Sequence, residues 1–84
     1  MTELSLYKFI TENSIEYHYS NDRKDIHAFI PIWNLKDWNI LLGTRITSED
    51  ALECHLKGDY LCFEMIAICE YFNIDHKNVF KEEN

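Results

Sequence analysis

Three histidines and one cysteine of this chain are spaced so that they could share one surface. His18, His27 and His55 each lie in a separate segment of alternating polar and apolar residues, and Cys62 lies in a fourth such segment. Imidazole, carboxylate and thiolate groups are the ligands that Zn²⁺ prefers, and three of them leave a position open for water. Because each histidine comes from a different segment, no local ligand spacing supports a metal site. We predict neither a metal nor another cofactor, and these three histidines are the candidates if a metal binds.

Thiol chemistry is the other reaction type that these residues would allow, because Cys62 faces His55 if their two segments form a hairpin. A thiolate nucleophile needs an oxyanion hole and surroundings that lower the thiol pKa. Glu53 and Glu64 would share that face, and neighbouring carboxylates act in the opposite direction. The sequence also contains no phosphate-binding glycine loop, dinucleotide fingerprint, G-x-S-x-G, HExxH or CxxC motif. A metal-dependent or thiol enzyme is therefore the alternative and not the first expectation.

The stretch from residue 51 to residue 65, ALECHLKGDYLCFEM, would position most of these side chains. Its apolar and polar residues alternate on both sides of Gly58-Asp59, a pair that suits a two-residue type II′ turn because glycine takes the positive φ of its first position. Such a turn fixes the register, which pairs Lys57 with Tyr60, Leu56 with Leu61, Cys54 with Phe63 and Leu52 with Met65. One face of the hairpin is then apolar, and a slip of one residue would expose it to water.

The first part of the chain predicts one helix and two strands. Residues 5–13 carry apolar side chains at i, i+3 and i+4, which is the stripe of a helix that faces a core. Alternation predicts strands over residues 15–19 and 26–30, with a polar turn between them. Pro31 then ends the second strand, because proline has no N–H to donate to the ladder.

Helices are also predicted on both sides of the hairpin at residues 51–65. One covers residues 35–42, with Asn34 as its N-cap and Gly43 just beyond its C-terminus. Another follows the hairpin directly. Asp75 is typical of the N-cap of one further turn, from which the apolar residues 79–80 would pack back on the core.

The element order α-β-β-α-β-β-α predicts an α+β fold in a single domain over residues 1–84. We expect a four-stranded antiparallel sheet with the helices packed mainly on its apolar face. The other face would carry His18, His27, Phe29, His55, Tyr60 and Cys62, because alternate residues of a strand point the same way. Aromatic, imidazole and thiol groups that lie together on an open face mark interfaces more often than active sites.

The composition limits the classes of function. Hydrophobic residues make up 46% of the chain, which argues against disorder. The net charge of −7 argues against direct binding of nucleic acid, which needs a basic patch, and favours a partner protein with a basic surface. No apolar run approaches about 18 residues and no secretory signal is present, so we expect no membrane association, reduced cysteines and a cytoplasmic location.

The last part of the chain resembles a known group of sequences. ALECHLKGDYLCFEM followed by ICEYFNIDHKNVF is similar to small acidic proteins of unknown function from bacteriophages and mobile elements. In those proteins a strand-turn-strand leads into a helix that ends in an I-D-x-x-x-V-F turn, here residues 74–80. The resemblance covers about the last 35 residues and carries no functional residue across. Many phage proteins of this size and charge inhibit host defence nucleases, so the resemblance implies an inhibitor that acts by protein contact or as a nucleic-acid mimic.

We therefore predict a non-enzymatic protein-interaction module, in its most specific form a phage-type inhibitor of a host nucleic-acid-processing or defence protein. Acidic side chains would enter a basic groove of that partner while exposed aromatic residues anchor the contact. The expected contact residues are Glu49, Asp50, Glu53, Asp59, Glu64, Phe29 and Tyr60. A homodimeric regulatory subunit is a further alternative.

Overall fold

The computed structural model of the protein describes residues 1–49, 56–57 and 59–81 of the 84 in the chain. Helix α1 is Glu3–Glu12, α2 is Leu35–Leu42 and α3 is Met65–Tyr71. Three antiparallel strands form one sheet, in which β1 is Glu16–Tyr19, β2 is Ile26–Pro31 and β3 is Tyr60–Glu64. Short 3₁₀ turns, Ile32–Asn34 and His76–Asn78, follow β2 and α3. The fold class is therefore α+β, and no helix within the described residues has the length and hydrophobicity that a membrane span requires.

Helix α1 begins two residues earlier than its apolar stripe predicts, because its first turn is capped. The Thr2 hydroxyl accepts the backbone N–H of Ser5 at 3.1 Å, and the Ser5 hydroxyl accepts the backbone N–H of Thr2 at 2.9 Å. This reciprocal pair satisfies N–H groups that have no partner within the helix. The stripe itself, which is Leu6, Phe9 and Ile10, is buried.

Strands β1 and β2 form a hairpin around the turn at residues 20–25, as the alternation predicts. His18 lies opposite His27 on one side of the sheet, and Tyr17 lies opposite Ala28 on the other. Successive pairs face opposite sides because the side chains of a strand alternate.

Strand β3 pairs with the free edge of β2, so that β2 is the middle of the three strands. Ile30 lies opposite Leu61, and Ala28 lies opposite Phe63. Ile30, Leu61 and Ala28 are completely buried, whereas Phe63 is only half-buried and packs against the edge of the core.

The predicted sheet of four strands is wrong. Three strands of four to six residues form the sheet in the described part of the chain, and only the two-residue segment Leu56–Lys57 pairs with the outer edge of β3. Its register, Leu56 with Leu61 and Lys57 with Tyr60, is the predicted one. Alternation predicts which side chains face a core, but it does not predict how many residues pair. An edge strand is hydrogen-bonded on one side only, so its pairing can be much shorter than the alternating segment. The remaining predicted pairs involve Leu52 and Cys54, which lie outside the described residues.

Helix α2 has the predicted bounds and ends at Gly43, whose φ of +72° is the left-handed conformation that glycine adopts easily. The Gly43 backbone N–H donates to the carbonyl oxygen of Asn39 at 2.7 Å. The predicted capping by Asn34 is wrong. Its side chain makes no capping hydrogen bond and donates to Asn13 Oδ1 at 3.2 Å. The 3₁₀ turn Ile32–Asn34 leads directly into α2, so Asn34 lacks the extended backbone that places a capping side chain.

The turn after α3 packs back on the core, as predicted. The Asp75 carboxylate accepts the backbone N–H of Lys77 at 3.0 Å and so caps the turn. Val79 and Phe80 are buried. The Tyr19 hydroxyl donates to the carbonyl oxygen of Phe80 at 2.8 Å, which ties this turn to β1.

The core lies on one side of the sheet and joins residues from all three helices. Trp38 of α2 is completely buried, with its ring centroid 5.2 Å from that of Phe9 and 5.5 Å from that of Phe63. Helix α3 adds Met65 and Cys69, which are also completely buried. The helices therefore cover the same face of the sheet.

Candidate binding face

The side of the sheet that points away from this core is called the outer face. Its exposed and half-buried strand residues are Glu16, His18, His27, Phe29, Tyr60, Cys62 and Glu64, and the buried Pro31 lies on the same side opposite Tyr60. Of the apolar members, Phe29, Tyr60 and Cys62 belong neither to the core nor to the hydrophobic side chains that pack against it. The structure thus brings together the residues predicted for this face, except for His55, which lies outside the described residues.

The strand register decides which groups are neighbours on the outer face. His27 in the middle strand lies opposite His18 of β1 on one side and opposite Glu64 of β3 on the other. The adjacent row has Phe29 in the middle, between Glu16 and Cys62. Directly opposed side chains lie about 4.5–5.5 Å apart at their Cβ atoms, so the groups within each row can interact.

His18 already has partners on this face. Its Nε2 lies 2.9 Å from Glu16 Oε1, and its ring centroid lies 6.0 Å from that of Phe29 with the rings tilted towards an edge-on contact. The side chains of His18 and Glu16 are 51% and 62% exposed. An exposed pair of this kind contributes little to the free energy of unfolding, so its loss on contact with another molecule would destabilise the fold only slightly.

Trp33 extends the outer face beyond Tyr60 and was not predicted from the sequence. Their ring centroids lie 5.7 Å apart at an interplanar angle of 67°. Trp33 is 65% exposed and Tyr60 is 36% exposed. The signal that could have identified Trp33 is its position directly after Pro31 and Ile32, where the strand has ended and the helical stripe has not begun. A large aromatic residue there has no place in either apolar pattern.

A second group on this face consists of Asp25, His27 and Glu64. Their donor atoms all lie within 4.8 Å of one another, and His27 Nε2 is 3.8 Å from Asp25 Oδ2. Asp25 was not singled out from the sequence, but it lies two residues before His27, so alternation places both side chains on the same face. Of the predicted metal candidates, His27 joins such a group within the described residues, whereas His18 pairs with Glu16.

Three of the five predicted acidic contact residues lie in the described part of the chain. Glu49 and Asp59 are exposed in turns, Glu64 is exposed on the outer face, and Asp50 and Glu53 lie outside the described residues. The carbonyl oxygen of Asp59 accepts the backbone N–H of Ile32 at 2.9 Å. This bond holds the turn at Asp59 beside the segment that carries Trp33.

The two described thiols differ in their surroundings. Cys62 is half-buried on the outer face, and Cys69 is completely buried in the core. Burial and, to a smaller extent, the nearby Asp75 carboxylate raise the pKa of the Cys69 thiol to about 11. Cys69 is therefore a packing residue and not a nucleophile. The predicted partner of Cys62, His55, lies outside the described residues.

Comparison of the chain with protein-family models, with curated proteins and with solved structures found no match. The resemblance to phage and mobile-element proteins therefore stays a prediction.

Proposed function

We propose that this protein is a non-enzymatic binding module whose outer face contacts a basic surface on a partner protein. The observation that carries the proposal is the difference between the two sides of the sheet. Helices cover one side, whereas Tyr60 and its neighbour Trp33 are exposed at the other. Burial of aromatic surface stabilises a small domain, so two adjacent exposed rings are better explained by contact with another molecule than by the fold.

Trp33 and Tyr60 are suited to the centre of such a contact. Tryptophan and tyrosine are enriched among the residues that contribute most to binding, because each combines a large rigid ring with one polar group. The edge-on contact between the two rings holds them as one apolar unit. We expect this pair to anchor the partner and the rest of the face to surround it.

The charge of the face selects the partner. Carboxylates of Glu16, Asp25 and Glu64 lie on or beside the outer face, and the whole chain carries a net charge of −7. Complementary charge accelerates association and disfavours acidic partners. A partner with a basic surface therefore fits, and nucleic acid does not.

In its most specific form the proposal is a phage-type inhibitor of a host nucleic-acid-processing or defence protein. The groove of such an enzyme is basic because it binds phosphates. The acidic charge of this chain and the resemblance of its last 35 residues support this form. We expect the encounter to take place in the cytoplasm, where thiols stay reduced.

The test compares two tyrosine variants with the wild-type protein. Tyr60→Glu places a charge in the proposed anchor, and Tyr71→Glu makes the same change at the end of α3, where Tyr71 is 83% exposed and not on the sheet. Each protein is immobilised and exposed to the same bacterial lysate, and retained proteins are quantified by mass spectrometry. We expect a basic protein to bind wild type and Tyr71→Glu alike, and its retention to fall by at least about tenfold with Tyr60→Glu.

Two further measurements, the salt dependence of retention and the sedimentation of Tyr60→Glu, distinguish the classes of partner. Retention should weaken as the salt concentration rises, because the Debye length falls from about 10 Å at 0.1 M to about 3 Å at 1 M. Equal retention by the two tyrosine variants would contradict the proposal. If Tyr60→Glu instead converts a sedimenting dimer into a monomer and no other protein is retained, the outer face is a homodimer contact.

A further inference from the structure

We propose that Asp25, His27 and Glu64 form a binding site for one divalent transition-metal ion of the Zn²⁺ type. The site lies on the outer face at the end of the sheet away from Trp33 and Tyr60. It does not depend on the proposed partner, because its donors are all within this chain.

The sheet brings the three donors together from separate places in the sequence. His27 of β2 and Glu64 of β3 are directly opposed across the two strands. Asp25 lies two residues before His27, so its side chain projects to the same face. All three donor atoms lie within 4.8 Å of one another.

The backbone holds Asp25 with one oxygen turned towards the group. Its Oδ1 accepts the backbone N–H of Ile26 at 2.7 Å, and its own backbone N–H donates to the Ser20 hydroxyl at 3.0 Å. The second oxygen, Oδ2, lies 3.8 Å from His27 Nε2. One carboxylate oxygen and one imidazole nitrogen are thus fixed close to the separation that a shared ion needs.

The donor set matches the chemistry of Zn²⁺. One imidazole and two carboxylates are accepted ligands, with metal–ligand distances of about 2.0–2.2 Å, so donors around one ion lie roughly 3.3 Å apart. The His27–Asp25 separation of 3.8 Å must contract by roughly 0.5 Å, and no separation in the group, which extends to at most 4.8 Å, must contract by more than roughly 1.5 Å. Rotation of the exposed Glu64 side chain can bring its own carboxylate closer to the other two donors. A divalent cation also neutralises two carboxylates that otherwise face each other. The fourth position opens to solvent and is filled by water.

The group is more than an acidic cluster, because one of its three donors is the imidazole of His27 on β2. Hard cations such as Mg²⁺ and Ca²⁺ prefer oxygen ligands alone, whereas imidazole favours a transition metal. The group therefore selects Zn²⁺ over the more abundant hard cations.

The experiment titrates the full-length protein with Zn²⁺ by calorimetry after dialysis against a chelator. We expect one saturable site. Glu64→Gln should weaken its affinity by at least about tenfold, while the matched control Glu16→Gln, which removes a carboxylate from the next row of the same face, should change it by less than about threefold. Thermal melts of both variants without metal confirm that each remains folded.

A second measurement identifies the ligands in the wild-type protein. Two-bond ¹H–¹⁵N spectra of the imidazoles should show a metal-induced shift at His27 Nε2, with no comparable shift at His18. The proposal is overturned if no saturable binding occurs, if the two glutamine variants weaken binding equally, or if Cys62→Ser abolishes binding that Glu64→Gln leaves intact.

Discussion

Leu61 and Cys62 are consecutive residues of one strand, and they belong to opposite sides of the molecule. Leu61 is completely buried against Ile30 and the helices, whereas Cys62 lies on the outer face beside Phe29. The same contrast holds along β1, where Tyr19 bonds to the C-terminal turn and His18 pairs with the exposed Glu16. The alternation of each strand thus divides its residues between two different environments.

The difference between the two sides of the sheet separates the residues that stabilise the fold from those that are exposed for binding. The core side combines side chains from α1, α2, α3 and the C-terminal turn, so its residues supply the apolar burial on which a domain of this size depends. The outer side carries His18, His27, three carboxylates on or beside the strands and the exposed rings of Trp33 and Tyr60. Substitutions on the two sides should therefore separate into those that change folding and those that change binding.

The largest effect is expected from a matched pair in β3. Leu61→Ala should lower the free energy of unfolding by about 2–5 kcal/mol, because it leaves a cavity in a completely buried position. Cys62→Ala, one residue away on the outer face, should cost less than about 1 kcal/mol. Urea denaturation followed by circular dichroism measures both. Equal losses from the two variants would contradict the division into two faces.

The two thiols offer the next contrast. Because the pKa of Cys69 is raised to about 11, about 1% of it is thiolate at pH 9, and its burial blocks the reagent as well. Iodoacetamide should therefore label Cys62 at least about a hundredfold faster than Cys69, as measured by mass spectrometry of the separate peptides. Comparable rates in the folded protein would show that the core around Cys69 is open.

The same pKa shift predicts a loss of stability in alkaline solution. The folded protein keeps the Cys69 thiol protonated, while the unfolded chain ionises it near its ordinary value of 9.0. This contribution is therefore intact below pH 9 and is lost as the pH rises from 9 towards 11. The alkaline decrease in Tm should be smaller for Cys69→Ala than for the wild type.

The smallest effect is expected at Asp22, which lies in the turn at residues 20–25 and outside both strands of the hairpin. The Ser20 hydroxyl donates to Asp22 Oδ1 at 2.6 Å and the Lys24 backbone N–H donates to the same oxygen at 3.0 Å, and these bonds lower the pKa of Asp22. The charged form thus stabilises the turn above the ordinary aspartate pKa, and this contribution is lost as the pH falls through the lowered value. Asp22→Asn should lower Tm slightly at pH 7 and by less in acid. A difference that grows in acid would contradict this account.

Local patterns were sufficient to predict much of this fold. Alternation predicted β1, β2 and the pairing of Leu56–Lys57 with β3, because each depends on residues close in sequence. The bounds of α2 followed from its stripe and from Gly43. The docking of Phe80 on the core was also predicted, since an apolar residue after a capped turn has few other places to go.

The features that were missed depend on contacts between distant segments. The sequence does not specify that β2 lies beside β3, and without that order Asp25 and His27 cannot be connected with Glu64. The length of the edge strand depends on the free energy that its pairing contributes, and an alternating pattern does not reveal that free energy. The contact between Trp33 and Tyr60 likewise emerges only when the turn at Asp59 is placed beside Ile32.

The measurement that tests the central claim most directly is the solvent exposure of the outer face in solution. Trp33 and Trp38 report on the two sides through their indole N–H signals in an NMR spectrum of the full chain. A soluble gadolinium chelate should strongly broaden the signal of Trp33, which is 65% exposed, together with those of Tyr60 and His18, and should leave the buried Trp38 sharp. If Trp33, Tyr60 and His18 are as protected as Trp38 in a sample that sedimentation shows to be monomeric, the outer face is covered within the protein itself, and the account of it as a binding surface is wrong.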